Sequence, residues 1–254
     1  MTYERVEFAV EGATLVGDRW VGAGPAAALL HAGACDRRSW REVGARLAAA
    51  GWNVVAYDRR GFGEVPPAAG AFRHVDDLLA VLDAALEAPE RVAGLVLLAP
   101  TVSGDPEPDE DAYNAATNGL GEAIDTAWTA GEQELCNRLE VHLWLDGPAG
   151  PEGRVSGPPR ELALEMNRIV LANGESEVDG ASGLDAAGHL HEIATSAIVA
   201  CGDLDVSLKV TRSAELADTL PHAIHRLLRG RAHLPYLEAP DEVAALITAE
   251  AVYG

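Results

Sequence analysis

The sequence predicts an α/β protein with a doubly wound, mostly parallel sheet into which a helical segment is inserted. Two observations lead to this fold class. Short apolar runs typical of buried parallel strands alternate with amphipathic helices in the first and last parts of the 254-residue chain. Between these parts, residues 105–190 contain helix-like segments and no strand-like run, which is the pattern of an insertion between two strands.

The first half of the sheet is predicted from residues 3–99. Residues 3–10 and 14–20 alternate apolar and polar side chains, which favours half-buried strands. Residues 26–30 and 53–57 are short apolar runs on either side of a helix at 40–50, with Ser39 as candidate N-cap and Gly51 as stop signal. A helix at 75–86 leads to another apolar run at 92–99. Parallel strands in this order are joined by right-handed crossovers.

The remaining elements follow the acidic segment 105–111. Helices are predicted at 112–118, 122–130, 132–145 and 160–173, and a polar, glycine-rich connector at 174–188. Strands at 196–200 and 223–228 enclose a helix at 210–220, and a closing helix covers residues 240–252. The predicted organisation is a core of residues 1–104 and 191–254, with a lid and its linker at 105–190.

Charge and hydropathy argue against several classes of partner. The net charge of −21 opposes binding to nucleic acid and to an anionic membrane surface. No segment approaches the roughly 20 apolar residues of a membrane span, and the first residues do not form a signal peptide. We therefore expect a cytoplasmic protein with no nucleic-acid or membrane partner.

The sequence predicts no cofactor and no metal ion. Three cysteines, without a Cys-x-x-Cys spacing, form neither a disulfide framework nor a zinc site, and we expect buried free thiols. Gly61-x-Gly63 lacks the third glycine and the acid of a dinucleotide site. The stretch His189-Leu190-His191-Glu192 has no further ligand group beside it, so a solvated linker is the simpler interpretation.

Six segments at predicted strand ends carry a family resemblance. They are LLHAGACDRRSW (29–40), VVAYDRRGFGEV (54–65), APERVAGLVLLAP (88–100), VHLWLDGP (141–148), VACGDLDV (199–206) and GRAHLPYLEAPDEV (230–243). In this order, over nearly the whole chain, they resemble the α/β-hydrolase superfamily, in particular its bacterial branch of lidded esterases and enol-lactonases. The resemblance implies a small apolar ester or lactone as ligand or substrate in a cleft under the lid.

The resemblance also implies catalytic roles. Asp205 matches the triad acid and His233 the triad base, with Asp203 as the rival acid. The loop after residues 26–30 matches the oxyanion loop, with the amide of Gly33 or Ala34 as a donor. A histidine activates a serine hydroxyl, a buried carboxylate fixes the histidine tautomer, and backbone amides stabilise the oxyanion. The carboxyl ends of parallel strands bring such groups together.

The expected nucleophile is missing from its place. It should lie on a Gly-x-Ser-x-Gly turn between a strand and a helix, before the apolar run at 92–99. Residues 75–100, VDDLLAVLDAALEAPERVAGLVLLAP, contain one helix, one strand and neither serine nor cysteine. A crossover needs about a dozen residues, so no further strand fits there. The sequence thus predicts a sheet of the α/β-hydrolase type, shortened by one strand–helix unit.

A shortened sheet suggests how the gap could close. One right-handed crossover can replace two, so we expect the strand at 92–99 to lie beside the strand at 26–30. This arrangement would bring Ser103 towards His233 and make it the candidate nucleophile. The alternative is a solvated loop serine. Thr101 and Cys35 are further candidates without an activating partner in the sequence.

Three functional interpretations stay open, and weak or no hydrolysis is expected in the first two. The first is a hydrolase with an unusual nucleophile or with an aspartate–histidine pair that activates water, since general-base help alone gives about 10²–10⁴-fold. The second is a non-catalytic relic or a small-ligand-binding protein that uses the lidded cleft. The third is a deletion in the coding sequence of an ordinary serine hydrolase.

Overall fold

A computed structural model describes residues 2–86, 92–105, 113–174 and 186–253, and its seven strands form two sheets. The first sheet has the order β1-β2-β4-β3, and the second has the order β5-β6-β7. The pairs β3–β4, β5–β6 and β6–β7 are parallel, whereas β1–β2 and β2–β4 are antiparallel. The strands are β1 (Glu4–Val10), β2 (Ala13–Trp20), β3 (Ala26–Leu30), β4 (Asn53–Tyr57), β5 (Gly94–Leu98), β6 (Ser196–Gly202) and β7 (Ala223–Leu228).

Helices connect the strands and fill the insertion. They are α1 (Arg41–Ala49), α2 (His74–Leu86), α3 (Ala115–Thr129), α4 (Gln133–Val141), α5 (Pro158–Asn173), α6 (Ser207–Thr219), α7 (Pro235–Glu238) and α8 (Pro240–Tyr253). Short 3-10 turns cover Arg37–Trp40 and Ala187–Glu192, and a π turn covers His142–Asp146. Within the described ranges, none of the helices has the length and apolar character that a membrane crossing requires.

The insertion differs from the sequence prediction in one helix. We expected separate helices at 112–118 and 122–130, but α3 runs through Gly119 and Gly121 without a break. Each glycine weakens a helix by about 1 kcal/mol relative to alanine. This loss is offset because Asn114 caps α3 by accepting the amide of Thr117, and because α3 packs on α4. Residues 106–112 and 175–185 lie outside the described residues, so most of the predicted acidic segment and connector does too.

Alternation along the strands produces layers on both faces of each sheet. In β4, Val54 and Ala56 point towards α1, whereas Val55 and Tyr57 pack in the cluster that contains Val81 of α2. Successive strand side chains point to opposite faces, so α1 and α2 lie on opposite sides of the four-stranded sheet. By the same alternation in β6, α8 and α6 lie on opposite sides of the three-stranded sheet. The fold is doubly wound, as predicted.

The predicted closure of the gap is wrong. Among the described residues, β3 and β5 are not hydrogen-bonded neighbours, and each ends its own sheet. The burial of the strands agrees with this division. All five residues of β5 are only half-buried, whereas four of the five in β4 are buried. Leu30 at the end of β3 is 42% exposed. The described part of the β4–β5 connection contains α2 alone.

The distance between packed helices leaves room for the gap between β3 and β5. Helices α1 and α8 pack side by side beneath the two sheets, and α8 also contacts β5 and β6. Packed helices lie about 8–10 Å apart, which is about twice the 4.8 Å spacing of neighbouring strands. Strands β3 and β5 can therefore both rest on this layer of helices without being hydrogen-bonded to each other. The side chains of Val96 and Leu98 of β5 pack against the buried cluster that contains Leu29 of β3, although the two strands share no hydrogen-bonded ladder.

The inserted helices pack on the first half of the molecule. Leu145, Ala163 and Met166 belong to the same buried cluster as α1 and α8. The amide of Asp36 approaches the sulfur of Met166 at 3.5 Å, and Arg38 pairs with Glu165 of α5. The insertion therefore lies against the loop that follows β3. The division into core residues 1–104 and 191–254 and lid residues 105–190 stays a prediction.

Hydrogen exchange tests the divided sheet. In a parallel strand alternate amides point to opposite edges, so about half of the amides in β3 and β5 face the gap and should exchange fast. Strands β4 and β6, bonded on both edges, serve as the fully protected reference, and β7 as an outer edge. Residue-resolved exchange rates give the comparison. Equal protection of β3, β5, β4 and β6 would show that the sheet is continuous in solution.

Candidate active site

An aspartate and a histidine meet beyond the carboxyl ends of β6 and β7. Oδ2 of Asp205 lies 2.9 Å from Nδ1 of His233. The Asp205 side chain is fully buried, and its Oδ1 accepts the amide of Val206 at 2.7 Å. The Cys201 thiol donates to Oδ2 at 3.4 Å. A carboxylate held by several donors keeps one orientation, so the histidine nitrogen that faces it carries the proton.

Close backbone contact brings these two loops together. A Cβ on Gly202 would lie 2.1 Å from the carbonyl oxygen of Arg231, so only glycine allows β6 to end against the loop that precedes His233. The amide of Leu204 donates to the same Arg231 oxygen at 2.9 Å. Asp203, the rival acid, accepts the amide of Gly230 at 2.7 Å. Its carboxylate anchors the turn after β7 and makes no hydrogen bond to His233.

The His233 ring is partly accessible to solvent. The side chain is 15% exposed, and none of the described residues forms a hydrogen bond with its Nε2. Trp144 contacts the ring with a centroid separation of 4.8 Å, and its carbonyl accepts the His233 amide at 3.1 Å. A residue of the insertion thus fixes the imidazole from the side. Nε2 can accept a proton from a molecule that reaches the exposed part of the ring.

The loop after β3 presents unbonded amides. Gly33 is exposed and Ala34 is half-buried, and among the described residues no acceptor binds either amide. His31 fixes the loop from below: its Nδ1 lies 2.8 Å from the Ala32 carbonyl, and its Nε2 accepts the amide of Arg59 at 3.1 Å. Burial, together with the charge of Arg59, lowers the pKa of His31 to about 3. The ring is neutral and structural at physiological pH.

A buried cluster of charges holds this loop and the turn after β4. Arg37 pairs with the fully buried carboxylates of Asp18 and Asp58, and with the half-exposed Glu64. Asp58 also accepts the backbone amides of Arg37 at 2.8 Å and Glu64 at 3.0 Å. Burial raises the pKa of Asp58. Because each charge has a partner inside the protein, the cluster orders both segments that flank the candidate site.

The structure does not bring Ser103 into hydrogen-bond contact with His233. Ser103 is exposed, and its carbonyl accepts the amide of Ala187 at 3.0 Å. Its role as a nucleophile stays a prediction. Thr101, two residues earlier, contacts the ammonium group of Lys209 through its hydroxyl. The strand that carries these loop residues pairs with β6 and not with β3, which explains their position.

Two basic residues at this edge were missed by the sequence analysis. Lys209 is the only lysine of the chain, a signal that composition could have supplied. Burial lowers its pKa, although the negative charge of Asp205 acts in the opposite direction. Arg59 follows β4 in a glycine-rich turn that looks like any exposed loop in the sequence. Its partial burial is a tertiary effect, so no local pattern could have revealed it.

The described residues form no metal site here, and the cysteines are buried. In the described part of the chain, no group of three or more His, Cys, Asp or Glu residues could hold a metal ion. His189 pairs with Glu192 at 2.7 Å on the surface. All three cysteines are free and buried, which confirms the expected state of the thiols.

A sequence profile described as alpha/beta hydrolase family matches residues 28–246. No curated protein is significantly similar to the chain in sequence.

Three solved structures are similar to the chain. A thermophilic esterase from Thermogutta terrifontis, solved with malate bound, gives a TM-score of 0.71 at 20% identity over 97% of each chain. A bromoperoxidase from Bacillus anthracis gives 0.72 at 16% identity over 98% of this chain and 99% of its own. The enol-lactonase from Burkholderia xenovorans gives 0.70 at 17% identity over 97% of this chain and 100% of its own. At these identities the likeness shows the fold and not a substrate.

Alkylation tests the burial of the thiols near the site. Burial raises the pKa of Cys35 and of Cys201 to about 12 each. A raised pKa leaves only about one thiol in 10⁴ ionised at pH 8, and the thiolate is the reactive form. We expect no iodoacetamide adduct on either residue in the folded protein and full labelling in denaturant, read by peptide mass mapping. Rapid native labelling of Cys35 would make it a candidate nucleophile again.

Proposed function

The chain belongs to the alpha/beta hydrolase family, and on that premise we propose that it is a slow hydrolase of small apolar esters or lactones, in which His233 and Asp205 activate a water molecule. The observation that carries this proposal is the 2.9 Å contact between Asp205 and Nδ1 of His233, in a side chain that is 15% exposed and whose Nε2 has no partner among the described residues. The substrate class is the one that the resemblance of the sequence to lidded esterases and enol-lactonases implies, and proteins of both kinds share the fold.

In the proposed reaction water replaces the serine. Nε2 of His233 accepts a proton from water while the water oxygen attacks the carbonyl carbon. The Asp205 carboxylate stabilises the resulting imidazolium. The imidazolium then returns the proton to the leaving alcohol oxygen as the carbon–oxygen bond breaks. The products are a carboxylic acid and an alcohol, or a hydroxy acid from a lactone.

The oxyanion would be stabilised from the loop after β3. The unbonded amides of Gly33 and Ala34 are suitable donors for the negative oxygen of the tetrahedral intermediate. The family's second donor belongs to the turn that the sequence lacks. One missing donor typically costs about 10²–10³-fold in rate, which is a further reason to expect slow turnover.

A second candidate function is binding without turnover. It is favoured by the sequence, which contains no Gly-x-Ser-x-Gly motif, and by the gap between β3 and β5 where such a turn would lie. A small apolar ligand would then bind beside His233 and Trp144, whose rings are in contact. Saturable binding of an ester without hydrolysis would favour this alternative.

Ester hydrolysis by matched variants tests the proposal. With p-nitrophenyl butyrate, we expect His233→Ala to lower kcat/KM by about 10²–10⁴-fold, since the general base is lost. Asp205→Asn should act in the same direction because the tautomer is no longer fixed. His191→Ala, which removes a histidine that is 71% exposed, serves as the control with an unchanged rate.

Two further results separate the possible nucleophiles. If water attacks, Ser103→Ala keeps the wild-type rate and a fluorophosphonate probe leaves no adduct on the folded protein. An adduct on Ser103 that disappears in His233→Ala would show that Ser103, and not water, is the nucleophile. A wild-type rate equal to that of buffer would refute hydrolysis altogether.

A further inference from the structure

Among the residues that the structure describes, Arg59 has no carboxylate partner, although the protein is strongly acidic. The chain has 40 acidic and 19 basic residues, and most arginines pair with a carboxylate. In the described part of the chain, three arginines have no carboxylate partner: Arg19, Arg59 and Arg226. Arg226 is exposed, whereas Arg59 is half-buried with an Nε that is sealed from solvent and has no hydrogen-bond partner.

The groups around Arg59 do not neutralise it. Its guanidinium lies 4.7 Å from the centroid of the Phe62 ring. Tyr57, Tyr236 and Cys35 are also close, but burial raises the pKa of both tyrosines above their ordinary value and that of Cys35 to about 12. All three groups are therefore uncharged at neutral pH. A partly desolvated cation without a partner is unfavourable, so an anion from outside the chain would be stabilised here.

The position of Arg59 connects it with the candidate active site. Its backbone amide donates to His31, the residue that fixes the loop of Gly33 and Ala34. Arg59 follows β4 and this loop follows β3, and the two strands are parallel neighbours. The guanidinium and the unbonded amides thus lie at the same edge of the sheet. That edge is also where ligands bind in open α/β sheets.

We propose that Arg59 binds a carboxylate of the substrate, so that the preferred substrates are esters or lactones that carry a second, free carboxylate. This inference rests on the proposed function for the ester or lactone group and replaces its apolar substituent by one that carries a carboxylate. The anion site itself does not depend on turnover. A guanidinium binds a carboxylate through two parallel hydrogen bonds. A single cation in a protein of net charge −21 favours a monoanion over a phosphate dianion.

Ketone analogues test binding without hydrolysis. Levulinate and 6-oxoheptanoate carry a ketone in place of the ester and a carboxylate at two spacings, and their primary amides are neutral controls of the same shape. By calorimetric titration we expect at least one acid to bind about tenfold or more tightly than its amide, as for a hydrogen bond to a charged group. Arg59→Met should abolish this preference, and Arg59→Lys should keep part of it.

The control variant is Arg19→Met, which removes another half-buried arginine with an unpaired Nε, on β2. It should keep the preference for the acids, because net charge changes equally in both variants. Acids and amides that bind equally well, a preference that survives in Arg59→Met, or one that is lost in Arg19→Met would overturn the proposal. So would inorganic phosphate that competes with the acids at equal concentration.

A kinetic comparison separates this proposal from the proposed function. Monomethyl succinate should be hydrolysed with a higher kcat/KM than methyl succinamate in the wild type but not in Arg59→Met. If neither ester is hydrolysed while the acids still bind through Arg59, the proposed function fails and the anion site stands. If Arg59→Met unfolds at a clearly lower denaturant concentration than the wild type, Arg59 is structural and the site fails.

Discussion

The packing of α8 against α1 holds the two sheets together. Helix α8 contacts α1 on one side and β5 and β6 on the other. Side chains such as Val243 and Leu47 are completely buried in this layer. Since no ladder joins β3 to β5, the relative position of the two sheets depends on this apolar contact. Its stability is that of buried apolar area, which is not directional, unlike that of a hydrogen-bonded ladder.

The candidate site draws its parts from both sheets. The loop of Gly33 and Ala34, together with Arg59, belongs to the four-stranded sheet, whereas Asp205 and His233 belong to the three-stranded sheet. Trp144 of the insertion supports the imidazole from a third direction. Within each sheet the geometry is fixed by short hydrogen bonds and by buried charges such as Arg37. Between the sheets it is fixed by side-chain contacts, which include the apolar packing of α1 on α8 and the ion pair of Arg46 with Asp241.

Local patterns predicted the elements better than their arrangement. Alternation and short apolar runs predicted all seven strands to within two residues, because these patterns record burial directly. The division of the sheet was not predicted, because the pairing of strands is a tertiary property that local patterns do not record. The family resemblance pointed to Asp205 and His233, whose side chains are in contact, although their catalytic roles stay predictions. Arg59 was missed because its isolation depends on residues far away in the sequence.

Because no hydrogen-bonded ladder joins β3 and β5 in the described structure, the two sheets resist sliding along the strand direction less than paired strands do. A continuous ladder resists sliding of one strand along the next, but two packed surfaces can shear by small side-chain adjustments. Such sliding would change the separation between the loop of Gly33 and His233 without breaking a backbone hydrogen bond. A ligand that contacts both the loop of Gly33 and His233 would hold the two sheets in one relative position. Affinity and rigidity are thereby coupled, because part of the binding free energy is used to stop this motion.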